Sequence, residues 1–136
     1  MKRFLLILFL LLSFFHVNEA NAQNVRWFKT TSLAVKFKQN GYWTEWSPWT
    51  QCTIAICINF DNENITIYSN KTQYYKIVGQ GEAPYDPDGK QLLMYAIDGD
   101  GDKCTVRLRV ENSTGNAQLY VDFADAMWVY NIYQTQ

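Results

Sequence analysis

The feature that most constrains this chain is a two-residue alternation of apolar and polar side chains, repeated in short segments along its length. Leu33, Val35 and Phe37 alternate with polar neighbours, and Val106 and Leu108 do so further along the chain. Such alternation predicts β-strands with one buried face, because successive side chains of a strand point to opposite sides. No segment repeats its apolar residues with helical spacing over the length of a helix. The sequence therefore predicts an all-β domain.

Turn-forming sequences divide the chain into about eight or nine predicted strands. Asn40-Gly41 is typical of a two-residue hairpin turn, and residues 61–64 and 98–102 are short polar turns. The longest interruption, residues 79–90, contains two prolines and three glycines and predicts a loop. Short connections between successive strands predict an antiparallel meander. We expect this meander to form a closed or nearly closed barrel, with a β-sandwich as the alternative.

The first 22 residues have the three parts of a secretory signal peptide. Lys2 and Arg3 precede an apolar stretch at residues 4–15, and Ala20-Asn21-Ala22 matches the small-residue cleavage rule. The apolar stretch is shorter than the roughly 20 residues that a membrane-spanning helix needs. We therefore expect cleavage after Ala22, export to the periplasm or the exterior, and a single all-β domain at residues 23–136.

The position of the only histidine and the low net charge argue against several classes of function. The only histidine, His16, lies in the predicted signal peptide, so the mature chain has no histidine for a Ser-His-Asp or Cys-His active site or for a zinc site. The chain has a formal net charge of −1 and no cluster of basic residues, which argues against nucleic-acid binding. We expect a non-catalytic protein that has no cofactor and does not span a membrane.

Acidic residues are concentrated in the predicted turns rather than on strands. Asp98-Gly-Asp100-Gly-Asp102 resembles the first half of an EF-hand calcium loop. An EF-hand needs glycine at its sixth position and glutamate at its twelfth, where this chain has Lys103 and Arg109. A catalytic pair of carboxylates also needs a cleft and a shifted pKa, neither of which a sequence of acidic turns indicates. We expect an acidic hairpin tip, without a metal site or catalytic residues.

The three cysteines, Cys52, Cys57 and Cys104, include one candidate disulfide. Export favours oxidation, but an odd number leaves at least one thiol unpaired within the chain. Cys52 and Cys57 would lie about 16 Å apart on an extended segment, which is beyond disulfide reach. Cys52 and Cys104 each share the apolar face of their predicted strand, so this pair is the candidate. Three buried free thiols are the alternative.

Trp43, Trp46 and Trp49 recur at steps of three just before Cys52. This run resembles the opening of a thrombospondin type 1 repeat, in which W-x-x-W-S-x-W precedes a cysteine. The resemblance covers about ten residues and ends there, since those repeats use six cysteines and this chain has three. We interpret the three tryptophans as core or rim residues of the β-domain.

Gly41-Tyr42-Trp43 resembles the G-x-W signature of lipocalins, in which the tryptophan closes the base of an eight-stranded barrel. A predicted strand precedes the motif here and its glycine lies in a hairpin turn, which departs from the lipocalin pattern. The chain as a whole resembles small exported bacterial proteins of lipocalin-like (calycin) type. The resemblance implies a barrel with a cavity for a small apolar ligand.

The leading hypothesis is a non-catalytic exported binding protein that holds a small apolar molecule in a β-barrel. Residues 79–90 would form its lid, and its candidate ligand contacts are aromatic: Trp43, Trp46, Trp49, Tyr85 and Tyr95.

The alternative hypothesis is a module that recognises a glycan or a protein through exposed aromatic side chains. Tyr68, Tyr74 and Tyr120 share the polar face of their predicted strands. They would form one outward stripe if those strands were neighbours.

Overall fold

The computed structural model describes residues 24–135, which form ten β-strands and no helix. In chain order the strands are β1 (Val25–Gln39), β2 (Tyr42–Trp43), β3 (Thr50–Gln51), β4 (Ala55–Asn59), β5 (Asn64–Ile67), β6 (Gln73–Gly81), β7 (Gly89–Asp98), β8 (Lys103–Glu111), β9 (Ala117–Asp122) and β10 (Ala126–Gln134). All strands except β2 and β3 form one closed antiparallel ring in meander order, because β10 pairs back onto β1. The predicted all-β meander and barrel are confirmed. The predicted signal peptide lies outside the described residues.

The barrel closes on β1, which is long enough to pair with two different neighbours. Residues 25–29 pair with β4 on one side, and residues 28–37 pair with β10 on the other. A β-bulge between Thr30 and Ser32 separates the two halves of the strand and lets it bend. After the bulge β1 no longer pairs with β4, and the same edge of β1 pairs instead with the short strands β2 and β3.

Residues 40–54, called the strap below, connect β1 to β4. The strap begins at the predicted Asn40-Gly41 turn, where both residues have positive φ angles of 52° and 81°. These angles are those of a type I′ hairpin turn, so this turn prediction is confirmed. Ser47 then bonds to Val35 through both its backbone N–H, at 2.8 Å, and its hydroxyl, at 2.9 Å. The strap is therefore hydrogen-bonded along the edge of β1 that β4 has left.

The interior of the ring is filled by the inward side chains of all eight barrel strands. An eight-stranded barrel is just wide enough for side chains to fill it. Its largest fully buried members come from seven of the eight barrel strands: Phe28, Ile56, Ile58, Ile65, Ile67, Ile77, Leu92, Met94, Val106, Leu108, Val110 and Leu119. The buried core therefore occupies the middle of the barrel.

The predicted loop at residues 79–90 is shorter in the structure because strands extend into both of its ends. β6 continues to Gly81 and β7 begins at Gly89, which leaves residues 82–88 between them. The ring of Tyr95 on β7 packs over Gly79 and Gly81, where a Cβ at Gly81 would approach the tyrosine hydroxyl to 2.8 Å. These glycines make room for a cross-strand aromatic ring rather than ending the strand.

Candidate functional site

A cavity of about 710 Å³ opens at one end of the barrel, which we call the mouth. The mouth carries the loops after β5, β7 and β9, at residues 68–72, 99–102 and 123–125. Most of the cavity wall is apolar or aromatic, and the side chains used below are Leu33, Val35, Ser69, Gln73, Tyr75, Phe123, Trp128 and Tyr130. The volume lies within the range of about 300–1,000 Å³ that is usual for small-molecule sites.

The bulge in β1 places two apolar side chains on the cavity wall. Before the bulge Phe28 and Thr30 are buried on the inner face, and after it Leu33 and Val35 line the cavity. Side chains alternate along a strand, so an uninterrupted β1 would have directed Leu33 and Val35 outward. One extra residue in β1 therefore determines the apolar wall of the site.

A chain of hydrogen bonds joins the polar side chains at the cavity. The hydroxyl of Tyr75 donates to Gln73 Oε1 at 2.6 Å. Gln73 Nε2 donates to Ser69 Oγ at 3.0 Å and to the hydroxyl oxygen of Tyr130 at 3.2 Å. Ser69 Oγ in turn donates to the carbonyl oxygen of Lys71 at 2.8 Å. This network holds two tyrosines of opposite barrel walls in fixed positions beside the cavity.

The two tyrosines of the cavity are polar but uncharged. Burial raises the pKa of Tyr75 and of Tyr130, so both hydroxyls stay protonated at neutral pH. The nearby Cys104 and Asp98 raise the pKa of Tyr75 further. Three charged residues line the cavity, of which Lys71 and Asp100 are exposed to solvent and Asp98 is half-buried. The site therefore combines neutral hydrogen-bonding groups with exposed charges and with one half-buried carboxylate, which the backbone of the hairpin tip already engages.

Trp128 adds an aromatic wall and a hydrogen-bond donor that has no partner among residues 24–135. Its ring lies 5.4 Å from that of Phe123, which in turn lies 6.4 Å from the ring of Tyr75. The indole Nε1 of Trp128 is buried, and no acceptor for its hydrogen occurs among residues 24–135. Of the aromatic residues that line the cavity, only Tyr75 could be predicted from the sequence to face inward, since it shares the apolar alternation of Ile77.

The predicted ligand-contact residues all lie outside the mouth cavity: Trp43, Trp46, Trp49, Tyr85 and Tyr95. The tryptophans belong to the strap, on the outer wall. Tyr85 is exposed at the opposite end of the barrel, beside a cavity of about 610 Å³. Tyr95 lies on the outside of β7, beside a third cavity of about 580 Å³. The predicted lid is also at the opposite end, so it does not cover the mouth. Ligand contact by these residues stays a prediction.

Cations and aromatic rings alternate where the strap crosses the barrel wall. Lys36 Nζ lies 4.6 Å from the ring centroid of Trp46, which makes an edge contact with Tyr120 at 6.4 Å. The guanidinium of Arg107 lies 4.1 Å from the ring centroid of Tyr120 and bonds to Asp122 at 2.7 Å. These contacts attach the strap to β1, β8 and β9. Trp43 likewise contacts Lys36 on the outer side and does not close the barrel, unlike the tryptophan of the lipocalin signature.

Two of the three tyrosines of the surface hypothesis share one outer wall. Tyr68 stacks on Trp27, with ring centroids 6.1 Å apart and ring planes 15° apart. Tyr74 is exposed on β6. Tyr120 lies on β9, which is four strands from β5 in either direction around the ring. The three tyrosines therefore do not form a single stripe, because β9 pairs with β8 and β10 instead.

The structure does not join the candidate disulfide pair, and all three cysteines are free. Cys52 precedes β4, and Cys104 lies on β8, four strands away from β4 around the ring. Cys52 Sγ instead lies 3.2 Å from the hydroxyl oxygen of Thr30. Shared apolar alternation placed both thiols against the core, but on different walls of the barrel.

The acidic turns have structural roles. Asp98 Oδ1 accepts hydrogen bonds from the backbone N–H groups of Asp100, at 2.9 Å, and Asp102, at 2.8 Å. Asp86 Oδ2 bonds to Arg109 Nε at 2.7 Å, and this bond lowers the pKa of the Asp86 carboxyl. In residues 24–135 no three His, Cys, Asp or Glu side chains are grouped so as to hold a metal ion. Asp98 is thus the organiser of a hairpin tip, and Asp86 anchors the loop at residues 82–88.

Comparison of the chain with known protein families, curated proteins and solved structures found no match. The part of the chain described here also contains no helix long and apolar enough to cross a bilayer. A functional proposal therefore rests on the cavity and the surface of this chain alone.

Proposed function

We propose that this chain is a non-catalytic binding protein that holds a small, largely apolar molecule in the mouth cavity. The observation that carries the proposal is the cavity itself, about 710 Å³ in volume, with apolar walls and a few fixed polar groups. Sites for small molecules combine these two properties, since apolar walls supply affinity and the polar groups fix orientation. The filled core below supports binding at the mouth rather than along the barrel axis.

The chemistry of the cavity supports binding without catalysis. The mature chain has no histidine, and the inner polar groups are an amide, a serine and two tyrosines. Burial raises the pKa of both tyrosines, which makes their hydroxyls poor proton donors and leaves few in the basic form at neutral pH. These side chains are suited to hydrogen bonding rather than to proton transfer.

Replacing Leu33 with tryptophan should fill the cavity and weaken binding of an apolar ligand. With the neutral fluorescent probe N-phenyl-1-naphthylamine, we expect the Kd of Leu33→Trp to rise at least about tenfold, or roughly 1.4 kcal/mol. Lys76→Trp, on the exposed side of β6, is the matched control and should bind the probe as the unmodified protein does. Equal probe affinity in the two folded variants would contradict a ligand site at the mouth.

A second candidate function is recognition of a glycan on the outer wall. Trp27 and Tyr68 are both exposed and present nearly parallel rings, and Tyr74 lies in the same cross-strand row as Trp27. The apolar faces of sugar rings pack on exposed aromatic rings of this kind. This stacked pair supports the surface hypothesis, with Trp27 in place of Tyr120.

The double substitution Trp27→Ala/Tyr68→Ala should reduce binding on an array of neutral oligosaccharides to background, because both stacking faces are removed. Tyr133→Ala is the control, since it removes an exposed tyrosine that lies outside the stacked pair. Thermal unfolding would show that each variant is folded. Undiminished array signal in the double variant, or no signal from the unmodified protein, would exclude glycan recognition by this wall.

A further inference from the structure

We infer that the mouth cavity selects an uncharged ligand with a hydrogen-bond-accepting oxygen, of the carbonyl type, on an otherwise apolar body. The inference rests on the proposed function and names the chemical class of its ligand. It follows from counting the hydrogens that the cavity side chains already donate, and from the positions of the formal charges.

Three of the four polar side chains in the network have committed their hydrogens. Tyr75 donates its hydroxyl hydrogen to Gln73, and Ser69 donates its own to a backbone carbonyl oxygen. Gln73 uses one amide hydrogen for Ser69 and the other for Tyr130. The hydroxyl of Tyr130 accepts a bond in this network, and no acceptor for its own hydrogen is found in residues 24–135. Tyr130 is therefore a donor that a ligand can use.

Trp128 supplies the second uncommitted donor on the same wall. Its indole N–H has no acceptor within the described chain, although buried tryptophan N–H groups usually have one. Trp128 and Tyr130 are two residues apart on β10, so both face the cavity, opposite Val35 and Leu33 of β1. A ligand oxygen that enters between the apolar walls therefore meets two hydrogen-bond donors and must act as the acceptor.

The distribution of charge disfavours an ionised ligand. Tyr75 and Tyr130 are neutral, and the half-buried carboxylate that lines the cavity, Asp98, already accepts two backbone N–H groups through its Oδ1. Lys71 and Asp100, which line the cavity, have opposite signs and are solvent-exposed. A carboxylate would lose its hydration inside the cavity and be repelled by Asp98, and an ammonium group would have to compete with two backbone N–H groups for that carboxylate. A carbonyl oxygen loses less hydration and matches both donors.

Four small aromatic probes of similar shape test this inference. Acetophenone carries the carbonyl, α-methylstyrene replaces its oxygen with a methylene group, and benzoate and benzylammonium carry opposite charges. Each probe is titrated into ¹⁵N-labelled mature protein, with the indole resonance of Trp128 assigned by its absence in Trp128→Phe. We expect acetophenone to shift this resonance and to bind roughly fivefold more tightly than α-methylstyrene, the gain from one hydrogen bond.

Two hydroxyl deletions identify the donor. Tyr130→Phe should weaken acetophenone binding roughly fivefold and leave α-methylstyrene binding unchanged, because the ring remains and the spare hydrogen is lost. Tyr75→Phe is the matched control, since that buried hydroxyl has already donated its hydrogen to Gln73. It should retain the preference for acetophenone.

The outcomes separate this inference from the function on which it rests. If α-methylstyrene binds at the mouth as tightly as acetophenone, or if benzoate or benzylammonium binds most tightly, the cavity is a ligand site and the inferred ligand class is wrong. If none of the four probes shifts any resonance of the cavity residues, the proposed function fails as well.

Discussion

Replacing Phe28 with alanine is expected to lower the free energy of unfolding by about 3–5 kcal/mol, as for other buried aromatic residues. Phe28 is only 1% exposed and lies where β1 pairs with both neighbours, opposite Ile56 of β4 and Gln134 of β10. Its removal leaves a void at the seam that closes the ring. The expected loss is a large part of the roughly 5–15 kcal/mol that stabilises a typical domain.

Urea unfolding followed by far-ultraviolet circular dichroism measures this loss. Phe37→Ala is the matched control, because it removes the same side chain from the same strand at a position that is 50% exposed. The control should lose less than about 1 kcal/mol. Similar losses at the two positions would show that the core at the seam is not what holds the barrel closed.

Replacing Thr30 with valine is expected to cost about 2–4 kcal/mol, because two partly buried backbone groups lose their partner. The hydroxyl oxygen of Thr30 accepts a hydrogen bond from the backbone N–H of Ile54 at 3.0 Å. The same hydroxyl donates to the carbonyl oxygen of Cys52, also at 3.0 Å. Valine has nearly the same shape, so the loss measures the hydrogen bonds rather than a cavity. These bonds join the end of the strap to β1 beside the bulge.

Thr30→Ser keeps the hydroxyl and loses one methyl group, so it should cost only about 1 kcal/mol. Amide hydrogen exchange gives a second measurement, since the N–H of Ile54 should exchange faster in Thr30→Val than in Thr30→Ser. Equal stability and equal exchange in the two variants would contradict the assignment of Thr30 as the group that holds the strap to β1.

Local sequence signals predicted the elements of the fold well. The Asn40-Gly41 turn and the polar turn at residues 98–102 have the expected backbone, because each depends on residues a few positions apart. In β8 the predicted alternation is confirmed, because buried and more exposed side chains alternate along the whole strand. Regular alternation and short connections also favoured the closed meander that the structure shows.

The candidate site was not predictable from the same signals. Ala126 to Gln134 contains apolar residues on both faces, and neighbouring Val129 and Tyr130 are both buried. Val129 faces outward beside Ala34, where the strap runs along the wall, whereas Tyr130 faces the cavity. Alternation cannot identify the inner face of a strand that is covered on both sides. The clustered tryptophans, which were predicted to contact a ligand, belong to the strap and lie on the outer wall.

The sequence by itself determined that this chain forms strands, where most turns fall and which alternating positions are buried, because these properties arise between residues that are close along the chain. Only the tertiary structure decided which aromatic side chains line a cavity. That outcome depends on the bulge after Thr30, on the return of β10 to β1 and on the path of the strap. Each of these brings together residues far apart in sequence, and a one-residue shift in β1 exchanges the side chains that face the cavity with those that face the outside of the barrel.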